Sequence, residues 1–210
     1  MKQIAITQRV EIKPSYGERR DALDQQWIEF LLSIELWPIL VPNNLSYVTK
    51  LVEKEEIDGV LITGGNSLVH YGGDAPERDE VEIFLLEWAL QKNITLLGVC
   101  RGMQVIQDYF GNRLTNISGH VATRHNLAVE ENCRLSEALK RYPDVNSYHN
   151  IGTPNVEGDL LKIATSLDGI VKAVEHREKD VFGVMWHCER ESPFRPEDKL
   201  LFEYIFKGKK

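Results

Sequence analysis

Apolar positions along this chain change period in a regular order. Gln3 to Thr7 alternates and is rich in β-branched residues. Leu23, Trp27, Phe30, Leu31 and Ile34 then fall at helical spacing, before an apolar run from Pro38 to Val41. The pattern predicts strand, helix, strand. A short segment around Val48 to Glu55 leads into Gly59 to Ile62, a buried strand that ends in the turn Thr63-Gly64-Gly65-Asn66-Ser67. Val81, Phe84, Leu85 and Trp88 mark an amphipathic helix ending near Asn93, followed by an apolar strand at Thr95 to Val99. A further helix runs from Arg101 to Phe110 and stops at Gly111-Asn112. Strands alternating with helices of this length require parallel pairing with crossovers, so the expected class is α/β. The architecture is a three-layer, doubly wound, mostly parallel sheet with helices on both faces, of the flavodoxin-like kind.

Beyond residue 113 the periods weaken, and Leu114 to Asn126 reads as loops and short strands. Leu160 to Thr165, Ile170 to Glu175 and Val181 to Trp186 are successive strands. The first two are joined by the turn Ser166-Leu167-Asp168-Gly169, and Leu200, Leu201, Tyr204 and Ile205 mark a last helix. No repeat, linker or composition shift divides the chain, so residues 1–210 are expected to form one domain.

Composition narrows the function classes. With 42% hydrophobic and 27% charged residues the chain is an ordinary globular sequence, and its net charge of −7 offers no general attraction for nucleic acid or an anionic membrane. No leader-like start and no membrane-length apolar run is visible, so a cytoplasmic protein with a small-molecule ligand is expected. The cysteines Cys100, Cys133 and Cys188 are odd in number and form no Cys-x-x-Cys pair, which argues against a disulfide framework. No metal and no cofactor are expected.

Candidate chemistry centres on GVCRGMQ, Gly98 to Gln104. Cys100 falls at the carboxyl end of a strand where a helix begins, with Gly98 and Gly102 two residues to either side. That is the layout of a nucleophile elbow, and a helix N-terminus favours the thiolate. A buried structural thiol at a glycine-rich turn fits the heptapeptide equally. VMWHCERE supplies His187 as a base and Glu189 as its orienting carboxylate, which share a face if strand geometry continues. The N–H of Arg101 and an amide of the Gly64-Gly65 turn are candidate oxyanion donors.

Read together, DGVLITGG (Asp58 to Gly65), RDEVE (Arg78 to Glu82), GVCRGMQ, VNSYHN (Val145 to Asn150), DGIVKAVEH (Asp168 to His176) and GVMWHCE (Gly183 to Glu189) resemble the class I glutamine amidotransferase-like superfamily. The resemblance implies a triad of Cys100, His187 and Glu189, and oxyanion amides from Gly65 and Arg101. It further implies a γ-glutamyl site formed by Gln104 with Ser147, Tyr148 and His149. The Arg78-Asp79-x-x-Glu82 element and the absence of a synthase domain look more like the free-standing γ-glutamyl hydrolase branch, which forms a glutamyl thioester and needs no obligatory synthetase partner. The segments TQRV and YGERRDALDQQW are similar to those of bacterial γ-glutamyl-CDP-amidate hydrolases. That similarity implies a nucleotide-linked substrate and a role in making capsular phosphoramidate.

Two positions depart from the family pattern: Cys188 stands where proline is usual, and Gly111-Asn112-Arg113-Leu114 replaces a Gly-Gly-x-Leu turn. Arg9 is a candidate contact for a phosphate on the leaving group. Arg19 and Arg20 either share that role or are solvated arginines at a helix start. His120 and His125 either line the substrate pocket or chelate a metal, and for a metal they lack a nearby cysteine or carboxylate to complete the ligands. A glutaminase subunit feeding ammonia to a separate synthetase is the alternative function, and a non-enzymatic binding protein a third.

Overall fold

The computed structural model describes residues 1–208. In chain order the elements begin with β1 (Lys2–Thr7), β2 (Arg9–Lys13), β3 (Glu18–Ala22), α1 (Gln26–Leu32), β4 (Leu36–Val41), α2 (Leu45–Lys54) and β5 (Gly59–Ile62). Then come α3 (Pro76–Lys92), β6 (Thr95–Val99), α4 (Arg101–Tyr109), β7 (Thr115–Asn116), β8 (Val121–His125), β9 (Leu127–Val129) and α5 (Ser136–Leu139). The last are β10 (Val145–Tyr148), β11 (Ile151–Gly152), β12 (Leu160–Ser166), β13 (Val171–His176), β14 (Val181–Val184) and α6 (Pro196–Lys207).

Eight strands make the central sheet in the order β4-β1-β5-β6-β14-β13-β12-β9. The pairs from β4 through β14 are parallel, as the strand-helix alternation requires, and the pairs from β14 through β9 are antiparallel. The antiparallel wing has a local cause. A four-residue turn ending at Gly169, whose φ is +88°, leaves no room for the crossover that a parallel β12–β13 pair would need. Strands β5, β14 and β13 are buried along their whole length, because both faces of the sheet are covered. On one face Phe30 of α1 and Phe202 of α6 meet edge to face at 4.8 Å, while α2, α3 and α4 pack side by side on the other.

The structure corrects one part of the sequence reading. Arg9 to Ala22 is a hairpin, β2–β3, with Arg9 opposite Ala22, so Arg19 and Arg20 do not lie at a helix start. Standing on the rim, the hairpin buries only Val10 among the residues of its two strands, and therefore shows almost no alternation in sequence. Its arginines are engaged within the chain. Arg19 donates to Glu77 and to the carbonyl of Asp74, and Arg20 to Glu18 and Tyr16.

Candidate active site

Cys100 is the residue between β6 and α4, with φ 53° and ψ −104°, a backbone that a side chain other than glycine adopts only when its surroundings impose it. The imposition is visible in the packing. A Cβ on Gly98 would lie 2.4 Å from the Gly102 backbone, and one on Gly102 would lie 2.2 Å from the Ile62 carbonyl oxygen. Strand and helix therefore meet at a distance only glycine permits, and the cysteine is pushed out at the carboxyl end of the sheet. Its N–H donates to Val184 O at 2.8 Å, which ties it to the neighbouring strand β14.

That strand delivers the histidine. His187 and Glu189 meet through Nδ1 and Oε1 at 2.6 Å, both buried. Strand geometry does not continue to Glu189, as the sequence reading assumed: β14 ends at Val184, and a 3-10 turn over Cys188–Arg190 curls the carboxylate back under the imidazole. Asn146 on β10 completes the support, accepting from His187 N–H at 2.9 Å and donating to His187 O at 2.8 Å. The sequence reading missed this residue, although it lies inside the VNSYHN motif.

With Nδ1 on Glu189, Nε2 is the nitrogen left for Cys100. Burial pushes the Cys100 thiol up, but the charge and hydrogen bond of His187 outweigh it, and the net direction is down. Burial would lower His187, yet Cys100 and Glu189 together raise it, so each member of the pair favours the charged form of the other. Cys188 is buried on the way out of the site, where desolvation and then the charge of Asp198 push its thiol well up, so it stays a protonated thiol.

The turn after β5 forms the opposite wall. A Cβ on Gly64 would stand 2.6 Å from His187 Cε1 and 3.5 Å from Cys100 Cβ, while Gly65 has φ +86° and lies against the Arg9 side chain. Behind the turn, α3 carries a buried charge cluster. Arg78 pairs with Glu82, and Arg101 pairs with Glu82 and Asp79. Two guanidiniums meet two carboxylates, so the buried charges of Arg78, Arg101 and Glu82 are compensated with the help of the partly buried Asp79.

The remaining expected substrate residues separate. Tyr148 faces the site, with its ring 6.0 Å from that of His187 and the Arg190 guanidinium stacked 4.7 Å above it. Gln104 Nε2 donates to Ile151 O at 3.0 Å. Ser147 and His149 turn their side chains away, onto the fully buried Lys172. Lys172 Nζ lies 2.8 Å from Ser147 Oγ, 2.8 Å from His149 Nε2 and 2.9 Å from His120 Nδ1, one acceptor for each ammonium hydrogen. Burial pushes this lysine down to about 8. Nothing in the periodicity marked it, since every residue of β13 is buried.

The same cluster corrects the statement that no carboxylate accompanies His120 and His125. Asp168, from the β12–β13 turn, brings its Oδ2 2.9 Å from His120 Nε2, and the three residues lie within reach of one ion. His120 Nδ1 accepts from the Lys172 ammonium, so its Nε2 carries the ring proton and donates to Asp168, and neither nitrogen has a lone pair to offer a cation.

Beside His187 and Glu189 lies a cavity of about 290 Å³, lined by Arg9, Leu23, Asp24 and Trp27 together with Gly64 and Arg190. Arg9 is thus a wall of the site. It is paired with the exposed Glu11. A larger groove of about 510 Å³ between α5 and α6 holds none of this chemistry.

Among known protein families, Peptidase C26 matches residues 3–189. A gamma-glutamyl-CDP-amidate hydrolase of Campylobacter jejuni is 32% identical over 90% of this chain and 90% of its own. The gamma-glutamyl-gamma-aminobutyrate hydrolase PuuD of Escherichia coli is 28% identical over 89% of this chain and 86% of its own. Among solved structures, a Thermoplasma acidophilum protein named for a component of GMP synthase superposes with a TM-score of 0.71 at 17% identity, over 99% of this chain and 93% of that one. The last likeness concerns the fold alone, the same α/β arrangement.

Proposed function

This chain belongs to the Peptidase C26 family and is a hydrolase acting on amide bonds, and from that premise we propose that it cleaves a γ-glutamyl amide through a thioester on Cys100. The observation that carries the reading is the pairing of a backbone-strained, thiolate-favouring Cys100 with a His187 oriented by Glu189.

In the first step the thiolate sulfur attacks the γ-carbonyl carbon, forming the C–S bond while the carbonyl electron pair moves onto oxygen. The amides of Gly65 and Arg101 receive that oxyanion. Its collapse breaks the C–N bond, and the leaving amine takes the proton on His187 Nε2. Water then attacks the thioester carbon and gives its proton to the now neutral His187. Collapse of the second oxyanion expels the Cys100 thiolate and releases glutamate. Glu189 holds His187 Nδ1 and steadies the imidazolium. Gln104 and the Ser147-Tyr148-His149 segment border the glutamyl group, with Tyr148 the side chain that faces it.

We take the leaving group to be phosphorylated, as in γ-glutamyl-CDP-amidate, which would place the enzyme in capsular phosphoramidate synthesis. Support comes from Arg9 and Arg190 on the walls of the cavity beside His187, and from the relative named for that substrate. The reading is of one free-standing domain, working without a synthetase and in the cytoplasm, where a reducing environment preserves a nucleophilic thiol.

Glutamate release is measured across glutamine, γ-glutamyl peptides, a folate polyglutamate and γ-glutamyl-CDP-amidate. The expected result is preference for the last, complete loss in Cys100→Ala, and a glutamyl adduct on Cys100 by mass spectrometry. Arg9→Ala is expected to raise KM for the phosphorylated substrate about tenfold, the weight of one charge-assisted hydrogen bond. Activity that appears only on adding a synthetase would overturn the free-standing reading, and activity in Cys100→Ala would overturn the mechanism.

A further inference from the structure

Arg78 sits in the first turn of α3, fully buried, and all five of its N–H donors are used. Nε meets Glu82 Oε1 at 2.8 Å. Nη2 reaches the carbonyls of Thr63 at 2.8 Å and Gly64 at 3.0 Å, and Nη1 reaches the Gly65 carbonyl and Asn66 Oδ1. One guanidinium therefore gathers the carbonyl oxygens of three consecutive residues.

This collection has a stereochemical consequence. In a planar trans peptide the C=O and the following N–H point in opposite directions. A Gly64 carbonyl held on Arg78 sends the Gly65 N–H the other way, and the Thr63 and Gly65 carbonyls do the same to the amides of Gly64 and Asn66. A Cβ added at Gly64 would meet His187 Cε1 at 2.6 Å and Cys100 Cβ at 3.5 Å, so the turn lies directly against that pair. Positive φ at Gly65 and Asn66 gives this turn a backbone that lets successive carbonyls converge on one cation. The second expected donor, the N–H of Arg101, is anchored to the same helix, because the Arg101 side chain is buried against Asp79 and Glu82.

We propose that Arg78 is the positioning residue of the oxyanion pocket, turning the Gly64–Gly65 amides toward the Cys100 thiolate while Asp79 and Glu82 hold the facing donor at the start of α4. This rests on the reading of Cys100 as an acylated nucleophile. It assigns a task to each charged residue of Arg78-Asp79-x-x-Glu82. Lysine cannot replace the fork, since a point ammonium with three donors cannot span three carbonyls and a carboxylate.

The test uses Arg78→Lys, with Arg78→Gln, which leaves Glu82 paired with Arg101, as the second variant should the first not fold. Expected for the folded variant is a kcat on a γ-glutamyl amide lower by about 10²- to 10³-fold, the range for losing an oxyanion donor. KM should stay within about threefold, and Cys100 should alkylate with iodoacetamide at a rate within about twofold of the parent, as for losses confined to the transition state. A crystal structure of the variant should show the Gly64–Gly65 peptide rotated. A merely structural role would slow alkylation in proportion to kcat, and that result overturns the proposal, as does an unrotated peptide or a parental kcat. If the parent protein releases no glutamate from any γ-glutamyl amide, the functional reading falls, and peptide orientation in the variant crystal still decides the role of Arg78.

Discussion

Gly64→Ala adds one methyl group where the site has no room for it. The new Cβ would lie 2.6 Å from His187 Cε1 and 3.4 Å from its Nε2. Carbon atoms rest at roughly 3.5–4.0 Å, so one partner must retreat by about 1 Å. The turn cannot easily yield, because the Thr63, Gly64 and Gly65 carbonyls are all held on Arg78. The imidazole must move, although Glu189 holds its Nδ1 at 2.6 Å and Asn146 holds its backbone. Misplacing a catalytic group by about 1 Å costs roughly 10²-fold in rate, or about 2.7 kcal/mol of barrier. The fold itself should survive, since Gly64, unlike Gly65, is not among the residues with positive φ. The assay is steady-state glutamate release together with the Cys100 alkylation rate and a thermal melt. Expected are a kcat/KM about 100-fold lower, slower alkylation and a melting temperature within a few degrees of the parent. A kcat/KM within threefold of the parent, with parental alkylation, would refute the placement of His187 against this turn.

Three further outcomes follow from the buried titratable groups. Glu189 raises His187, so Glu189→Gln removes that support and should move the alkaline limb of kcat/KM to lower pH by a unit or more; a limb that stays in place contradicts the pairing. Iodoacetamide should label Cys100 well before Cys133 and leave Cys188 untouched in the native protein, since the first thiol is shifted down and the other two up; peptide mass mapping of early modification that finds Cys188 would refute this. Burial pushes Asp198 up to about 6 from 3.8, so the stability it contributes is full below pH 4 and is lost as pH rises toward 6. Asp198→Asn does not titrate, so chemical denaturation should show its stability rising relative to the parent over that window, by up to about 3 kcal/mol, and a difference independent of pH would count against the buried charge.

Single elements show what was legible and why. β5, β6 and α4 could be read directly, because a strand buried on both faces is a continuous apolar run and a helix announces its period within a few turns. The Cys100 elbow was legible for a steric reason: only a Gly98/Gly102 pair lets the helix lie so close to the strands. The hairpin β2–β3 was not, since an exposed ribbon that buries one side chain leaves no pattern. Lys172 was hidden for the opposite reason, its strand being buried throughout, so that a cation among apolar neighbours declares its partners only in three dimensions.

By itself, then, the sequence determined the strand-helix alternation that builds the parallel half of the sheet, and the residue types that can carry thiol chemistry. These depend on local periodicity and on glycines whose necessity is steric. Tertiary structure alone decided which residues meet. It set His187 and Glu189 beside Cys100 through the β6–β14 pairing and a 3-10 turn, and it gathered three carbonyls onto Arg78 from a helix more than ten residues away. Such meetings come from the pairing of strands remote in sequence, and from hydrogen bonds whose cost of burial is met only by partners that folding supplies.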